Sequence, residues 1–295
     1  MSWGAETDEF AAQDQLELFL EAGGTLVDTA PVYGDGTAEA LLGRLIAKAG
    51  VRDDLVIAGK AGIHQGDAGV VRDASRRALM NQLDQSLRDL GTDHLDLWQV
   101  HHWDAKTPVE ETVATLDNAV RMGKVRYAGI CNYSGWQTAV AQNWYAKVNP
   151  AEKLVSTQVE YSLVNRQIET EVLPAAQYAG MDLLVWSPLG RGVLTGKYRG
   201  GIPGDSRAAS DHWENFVAPY LPLTHIVDAV AKAADGLGVS PSHIALAWVR
   251  DQPGVAAAIV GARTASQLAE SLSSEDLELP QEIRDALNDV SRGAR

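Results

Sequence analysis

The sequence predicts an α/β fold, a (β/α)8 barrel, on three observations. Short strand-like runs alternate with helical patterns at roughly 30 to 40 residues per unit, which calls for parallel strands joined by right-handed crossovers. The chain has 295 residues, and such a barrel needs roughly 250. Its composition, 45% hydrophobic and 22% charged, is typical of a globular protein with one core. We therefore expect a single domain over residues 1–295.

Strands are predicted where short apolar or alternating runs lie between turn residues. In chain order they are Thr25–Asp28, Leu55–Lys60, Leu95–His101, Val125–Ile130, Val155–Tyr161, Met181–Trp186 and Val255–Val260. These are seven strands, whereas a closed barrel of this type has eight. The missing strand would have to precede the first helix, near Ala11.

Helices are predicted where apolar residues recur at intervals of three and four. The segments are Ala11–Ala22, Ala38–Ala49, Leu79–Leu90, Thr107–Val120, Ser134–Trp144, Ile168–Tyr178, Thr224–Leu237, Ser240–Arg250, a short helix opened by Thr264–Gln267, and Leu279–Val290. Capping boxes are expected at Thr107 and Ser134, and a bend is expected at Pro174. The long stretch from Ser187 to Pro222 is rich in glycine, proline and serine and is expected to be a functional loop.

Charge and cysteine content exclude several classes of function. A formal charge of −14 disfavours binding to nucleic acid or to an anionic membrane surface. No apolar run approaches the ~20 residues of a membrane span, and the acidic amino terminus is unlike a signal peptide, so a cytoplasmic protein is expected. The lone cysteine, Cys131, excludes an intrachain disulfide and a multi-cysteine zinc site, and is expected to be a buried packing residue.

Four polar residues follow or end predicted strands: Asp28, Tyr33, Lys60 and His101. In a parallel barrel they would converge at the carboxyl edge of the sheet, where such folds keep their chemistry. Lys60 would lower the pKa of the Tyr33 hydroxyl, and Asp28 would hold Lys60 charged. A neutral His101 would orient a bound carbonyl oxygen. The four residues suit protonation of an alkoxide as it forms, with the hydride supplied by a cofactor.

Each of these four residues, taken alone, could have a structural role instead of a catalytic one. A single Asp or Lys at a strand end is more often a cap or a surface charge. The pair His101-His102 could indicate a metal, but neighbouring side chains in a strand point to opposite faces and no carboxylate cluster completes a site. We therefore expect no metal.

Five segments have a combined order and spacing typical of one known family: Gly24–Gly34, Leu95–His101, Gly129–Ser134, Trp186–Gly192 and Ile259–Thr264. On these segments the sequence closely resembles the aldo-keto reductase family, specifically the bacterial group related to potassium-channel β subunits. The resemblance runs from about Trp3 to the carboxyl end. It implies that Asp28, Tyr33, Lys60 and His101 are the catalytic tetrad, with Tyr33 as the general acid.

The resemblance also implies a nicotinamide cofactor, usually NADPH, and a small-molecule carbonyl substrate. Asn132 and Gln158 match residues that hold the nicotinamide carboxamide, and Trp186 matches a stacking ring, although alone it would more often be a core residue. The pyrophosphate would lie against Ser187, Leu189, Gly190 and Arg191. The adenosine end would lie against Gly261, Arg263, Gln267 and Ser271, with Arg263 on a ribose 2′-phosphate.

The chain departs from the family pattern at several positions. Many members have Lys where Gly261 stands, Asn where Ser271 stands and Ser where Cys131 stands. Members also begin with a hairpin and a first strand, and this chain starts just after both, either through a late start assignment or as a shortened relative. An NADPH-binding redox sensor with little turnover and an inactive truncated barrel are therefore the alternatives to a reductase. Trp213 and Phe216 could wall an apolar substrate pocket or could equally be packing residues. The sequence predicts no oligomeric state.

Overall fold

The computed structural model describes residues 3–4, 7–66, 69–204, 206, 209 and 214–294. By its internal contacts the chain forms two compact units. The first unit comprises Met1–Gln158, Glu171–Asp182 and Gly261–Leu268, and the second comprises Val159–Thr170, Leu183–Val260 and Ala269–Arg295. Trp213, a predicted pocket residue, lies outside the described residues.

The predicted α/β class is confirmed, because mostly parallel strands alternate with helices along the chain. In chain order the strands are β1 (Leu26–Asp28), β2 (Val56–Ala61), β3 (Ile63–Gly66), β4 (Gly69–Arg72), β5 (Leu95–Val100), β6 (Val125–Cys131), β7 (Ser156–Glu160), β8 (Asp182–Trp186) and β9 (Val255–Ile259). The helices are α1 (Glu9–Glu21), α2 (Ala38–Ala49), α3 (Arg76–Leu90), α4 (Val109–Arg121), α5 (Gly135–Val148), α6 (Val172–Ala179), α7 (Glu214–Val217), α8 (Thr224–Leu237), α9 (Pro241–Arg250), α10 (Ala265–Leu272) and α11 (Gln281–Val290).

The parallel strands of the first unit are paired in the order β1, β2, β5, β6 and β7. β2 and β5 are almost entirely buried, as expected for strands with helices on one face and a filled interior on the other. Helices α2 and α3 pack closely, since a Cβ at Gly43 would lie 2.5 Å from the backbone oxygen of Asp89. In the second unit β8 and β9 pair in parallel, with an irregularity between Leu183 and Leu184.

Two local predictions were wrong. The predicted capping box at Thr107 is absent, because the Thr107 hydroxyl donates to Asp104 at 2.7 Å and Pro108 precedes the helix without a side-chain cap. The segment predicted as one helix from Ile168 is a 3₁₀ turn, Gln167–Thr170, followed by α6. Pro174 lies in the first turn of α6, where its missing N–H has no intrahelical partner to lose, and the bend at this residue stays a prediction.

One hairpin was not predicted, and the stretch predicted as a single long loop contains short helical elements. An antiparallel hairpin, β3 with β4, stands between β2 and α3. The stretch after Ser187 contains 3₁₀ turns at Gly190–Thr195 and Ala218–Tyr220 as well as α7. The capping box at Ser134, in contrast, is confirmed with both of its hydrogen bonds.

Candidate active site

A buried ion pair joins the ends of β1 and β2. The Lys60 Nζ donates to Asp28 Oδ2 at 2.5 Å and to the Thr29 carbonyl oxygen at 3.1 Å. The Lys60 side chain is 0% exposed, and the Asp28 side chain is 8% exposed. The strand register explains the contact: Asp28 lies opposite Ala58, and Lys60, two residues further along β2, has its side chain on the same face as Ala58.

The ion pair keeps Lys60 charged. Burial alone would lower the pKa of Lys60, but the Asp28 carboxylate and the Tyr33 hydroxyl counter this, so that the pKa lies above its ordinary value. The sequence-based expectation that Asp28 holds Lys60 as an ammonium agrees with this geometry. The Thr29 carbonyl, which accepts a second bond from the ammonium, was not singled out by sequence, because its role depends on the backbone path after β1.

Tyr33 lies over the lysine at the start of a 3₁₀ turn, Tyr33–Gly36, that follows β1. The Lys60 Nζ is 4.8 Å from the centroid of the Tyr33 ring. The turn needs a residue without a side chain after Tyr33, because Gly34 has a φ of +57° and a Cβ there would overlap the Trp3 carbonyl oxygen. The tight turn therefore positions the phenol of a half-buried tyrosine against the ammonium.

The pKa of Tyr33 is raised to about 12, opposite to the direction expected from sequence. Burial is the largest cause, and the Asp28 carboxylate adds to it, while the Lys60 ammonium opposes both. Tyr33 in the free protein therefore keeps its proton at neutral pH. The lysine limits the rise in the pKa without reversing it.

The imidazole of His101 completes the group. Its ring meets the Tyr33 ring edge-on, with 5.8 Å between centroids and an interplanar angle of 83°. Burial first, then the Lys60 and His102 charges, lower the pKa of His101 to about 3, so the ring is neutral. The structure therefore brings Asp28, Tyr33, Lys60 and His101 together within the first unit.

Two amide side chains extend this cluster. Gln158 is buried on β7, and its Nε2 donates to Asp28 Oδ1 at 2.8 Å. Asn132, just after β6, has a φ of +57° and donates through Nδ2 to the His101 carbonyl oxygen at 3.0 Å. Cys131, which precedes Asn132 and pairs with Gln158 between β6 and β7, is fully buried, and burial raises the pKa of its thiol well above the ordinary value.

The predicted pyrophosphate segment lies in the second unit, directly after β8. Ser187, Gly190 and Arg191 all have left-handed backbone angles, with φ of 53°, 55° and 57°. The N–H of Gly190 donates to the Ser187 carbonyl at 2.9 Å, which closes the turn around Leu189. A side chain at Gly190 would collide with Val164, so the turn is packed against its own unit.

The guanidinium of Arg191 is engaged within the second unit. It forms a bidentate pair with Glu160, at 2.7 Å from Nε and 2.5 Å from the terminal nitrogen, and it also donates to the Phe216 carbonyl. Its Cζ lies 3.7 Å from the Phe216 ring centroid and 5.8 Å from that of Trp186. Sequence reasoning missed Glu160, whose position at the end of β7 was the available signal. Phe216, a candidate pocket wall or packing residue, stacks on this cation.

The four residues predicted at the adenosine end lie before and along α10. The Gln267 side chain accepts from the Arg263 N–H at 3.0 Å, and the Gln267 N–H donates to Thr264 Oγ1 at 3.2 Å. These bonds order the turn that follows Gly261. The Ser271 carbonyl accepts from the Ser274 hydroxyl at 2.6 Å.

Among the described residues, no group of three or more histidine, cysteine or acidic side chains is arranged to hold a metal ion. Over the same part of the chain, no helix has the length and apolar character that crossing a membrane requires.

Comparison with known proteins identifies the family. The Aldo/keto reductase family model matches residues 1–292. The chain is 35% identical to the uncharacterized oxidoreductase YrpG of Bacillus subtilis, over 99% of this chain and 90% of that protein. It is 34% identical to the aldo-keto reductase YhdN of the same organism, over 92% and 80%, and 33% identical to a probable voltage-gated potassium channel subunit beta of Arabidopsis thaliana, over 94% and 85%. The chain therefore belongs to the aldo/keto reductase family, a family of oxidoreductases whose (β/α)8 fold class is the one predicted from its sequence.

Proposed function

We propose that the protein reduces an aldehyde or ketone to an alcohol with NADPH, with Tyr33 as the general acid. The observation that carries the proposal is the buried Lys60–Asp28 pair lying against the Tyr33 ring, with a neutral His101 at the edge of that ring. Members of the family act on small carbonyl compounds and generally use a nicotinamide cofactor.

Proton delivery follows from the electrostatics of the four side chains. Tyr33 holds its proton until negative charge develops on the carbonyl oxygen, and the proton then moves from the tyrosine oxygen to that alkoxide. The tyrosinate so formed faces the Lys60 ammonium 4.8 Å from its ring, which stabilises it. His101, neutral at physiological pH, donates a hydrogen bond that orients the carbonyl oxygen.

The residues present suit a nicotinamide. A carboxamide needs both hydrogen-bond donors and acceptors, and the amide side chains of Asn132 and Gln158 offer both kinds of atom beside the tetrad. A bound nicotinamide would supply the hydride. Arg263, on the turn ordered by Gln267, is the proposed contact for a ribose 2′-phosphate, which is why NADPH is preferred over NADH in this proposal.

The direct test is turnover. The purified chain is mixed with nitrobenzaldehyde or a simple dicarbonyl, and the loss of NADPH absorbance is followed, with NADH in a parallel series. Tyr33→Phe should lower kcat by roughly 10²- to 10⁴-fold, the usual contribution of a general acid. Tyr178→Phe is the matched control, because Tyr178 is 91% exposed on α6 and should leave the rate unchanged.

Two outcomes would contradict the proposal. One is equal rates for the wild-type chain and Tyr33→Phe. The other is NADPH binding without turnover over a broad panel of carbonyl compounds. The second outcome would favour a redox-sensing protein, a candidate function supported by the 33% identity to the probable channel subunit.

A further inference from the structure

Arg191 lies at the centre of a cluster that joins three segments of the second unit. Its guanidinium forms a bidentate pair with Glu160 at the end of β7, at 2.7 Å from Nε and 2.5 Å from the terminal nitrogen. The same group donates to the Phe216 carbonyl oxygen, and its Cζ lies 3.7 Å from the centroid of the Phe216 ring. The Tyr220 ring is also near, with its centroid 4.9 Å from that Cζ. We call Glu160, Arg191, Phe216 and Tyr220 the arginine clasp.

The Glu160 carboxylate of the clasp is shared between two donors. Its Oε1 accepts from Arg191 Nε and from the Tyr220 hydroxyl, the latter at 3.0 Å. Burial first, then the Glu160 charge, raise the pKa of Tyr220 to about 12, so the phenol keeps the proton that it donates. The side chains of Glu160 and Arg191 are only 11% and 14% exposed. Breaking this pair therefore leaves a largely buried charge without its partner.

The clasp leaves the Arg191 side chain poorly suited to bind a phosphate. Each of the three guanidinium nitrogens already donates a hydrogen bond, and the Glu160 carboxylate offsets the positive charge. A phosphate that took over the guanidinium would displace Glu160 and place a second anion beside it. The geometry therefore fits a side chain that holds protein segments together.

The turn that carries Arg191 requires such an anchor. Ser187 and Arg191 have φ of 53° and 57°, in the left-handed region that residues with a side chain rarely adopt. Strained backbone of this kind persists only where surrounding contacts fix it. The Arg191 side chain supplies these contacts at the end of the turn, and its Cζ lies 5.8 Å from the ring of Trp186, directly before the turn.

We propose that Glu160 is a positioning residue of the cofactor site, which acts by holding Arg191 in the clasp and is needed for tight NADPH binding. This inference rests on the proposed reductase function. Through Arg191, Glu160 fixes the predicted pyrophosphate turn, residues 187–191, in one conformation before the cofactor binds. Removing the Glu160 charge should therefore weaken binding of NADPH. A direct contact between Arg191 and a phosphate predicts the opposite, because Glu160 would then compete with the pyrophosphate.

The experiment measures the Kd of NADPH by isothermal titration calorimetry. Glu160→Gln and Arg191→Met should each raise this Kd about tenfold, because the turn must then be ordered on binding, and the double variant should lose no more than either single variant. Arg191→Lys should lose as much as Arg191→Met, since lysine keeps the charge but neither the bidentate geometry nor the stacking. KM for NADPH should rise with the Kd, while KM for nitrobenzaldehyde changes less than about twofold.

Asp228→Asn and Arg199→Met are the matched controls for the two single variants. This acid–arginine pair belongs to the same unit, but its side chains are 59% and 52% exposed, so its loss should leave the Kd of NADPH unchanged. Tyr220→Phe is a milder variant that removes one hydrogen bond to Glu160 and keeps the ring. It should raise the Kd about threefold, and it provides the test if Glu160→Gln does not fold by circular dichroism.

Hydrogen exchange of the protein without cofactor separates failure of this inference from failure of the proposed function. The amides of Gly190, Gly192 and Leu194 donate to carbonyl oxygens of the turn. In Glu160→Gln they should exchange about tenfold faster than in the wild type, while the amides of α11 keep their rates. If this change occurs but the wild type binds no NADPH, the anchoring of the turn stands and the proposed function fails. Unchanged exchange, a lower Kd in Glu160→Gln, or a wild-type Kd in Arg191→Lys would each overturn the inference.

Discussion

The buried charge at the centre of the site makes Asp28→Asn an informative perturbation. Asparagine has nearly the shape of aspartate and keeps an oxygen that can accept from Gln158, as Asp28 Oδ1 does now at 2.8 Å. It removes the negative charge that lies 2.5 Å from the Lys60 ammonium, and with its oxygen bonded to Gln158 its NH2 group, a donor, faces that ammonium in place of the acceptor Oδ2. The ammonium would then keep the Thr29 carbonyl but lose its counter-charge.

The expected cost follows from the burial of Lys60, which is 0% exposed. Removing one partner of a buried ion pair typically destabilises a protein by about 3 to 5 kcal/mol, because the other charge is left uncompensated. Burial lowers the pKa of Lys60, and without Asp28 that effect is no longer offset. The pKa of Lys60 should therefore fall below its unfolded value of about 10.4 in the variant.

The free energy of unfolding should change with pH in opposite directions in the wild-type protein and in Asp28→Asn. In the wild-type protein the raised pKa of Lys60 contributes stability below about pH 10.4 that is lost as the pH rises through the folded value. In Asp28→Asn the unfolded state binds the proton more tightly than the folded state, so the free energy of unfolding should increase with pH up to about 10.4.

The assay is urea unfolding followed by tryptophan fluorescence and circular dichroism, at neutral pH and at about pH 9. The double variant Asp28→Asn with Lys60→Met removes the orphaned charge and should recover much of the lost stability. Asp93→Asn is the matched control, since the Asp93 side chain is 95% exposed and its loss should leave the unfolding midpoint unchanged. The reasoning is refuted if Asp28→Asn unfolds within about 1 kcal/mol of the wild type at neutral pH and the double variant is no more stable, given the 3 to 5 kcal/mol expected.

Two other buried groups give further predictions. Glu39 on α2 is 2% exposed and accepts from Ser86, and burial raises its pKa from 4.5 to about 7. As the pH rises from 4.5 to about 7, the unfolded chain loses this proton before the folded chain does, so the free energy of unfolding should fall by about 3 kcal/mol. Glu39→Gln should abolish this fall, which unfolding curves at pH 5 and pH 8 measure. An unchanged slope in the variant would assign the pH dependence to other groups. Cys131 is fully buried with a raised pKa, so a thiol reagent should label it only at the rate of unfolding, and labelling of the native protein at the rate of a free thiol would contradict its burial.

The grouping of Asp28, Tyr33, Lys60 and His101 was predictable from sequence because it depends on strand ends. Short apolar runs identify β1, β2 and β5 to within a residue or two, and parallel pairing brings their carboxyl ends to one edge. Asp28 and Lys60 then meet through register alone, since Asp28 pairs with Ala58, two residues before Lys60. Nothing about distant contacts is needed to reach that conclusion.

Features that depend on burial were not predictable, even where the contacting residues are close in sequence. Thr107 fits a capping box locally, but its hydroxyl instead serves Asp104, which is also bound by the Ala74 backbone 30 residues away. The β3–β4 hairpin has largely exposed strands, so its sequence lacks the buried alternation by which a strand is recognised. In both cases the contacting residues are near in sequence, and the outcome depends on which groups the fold buries, which a local sequence pattern does not record.

The pKa of Tyr33 shows how the same limit affects chemistry. Sequence reasoning had the correct neighbours, because Lys60 does oppose the rise in the pKa, but it could not weigh that charge against the burial of the phenol. Burial prevails in the free protein, and the proton stays on Tyr33. This order of effects suits an acid catalyst: a phenol that ionised readily beside Lys60 would have no proton to give when the alkoxide forms. In the proposed reaction the lysine would matter most in the transition state, where it would offset charge that burial alone would make costly.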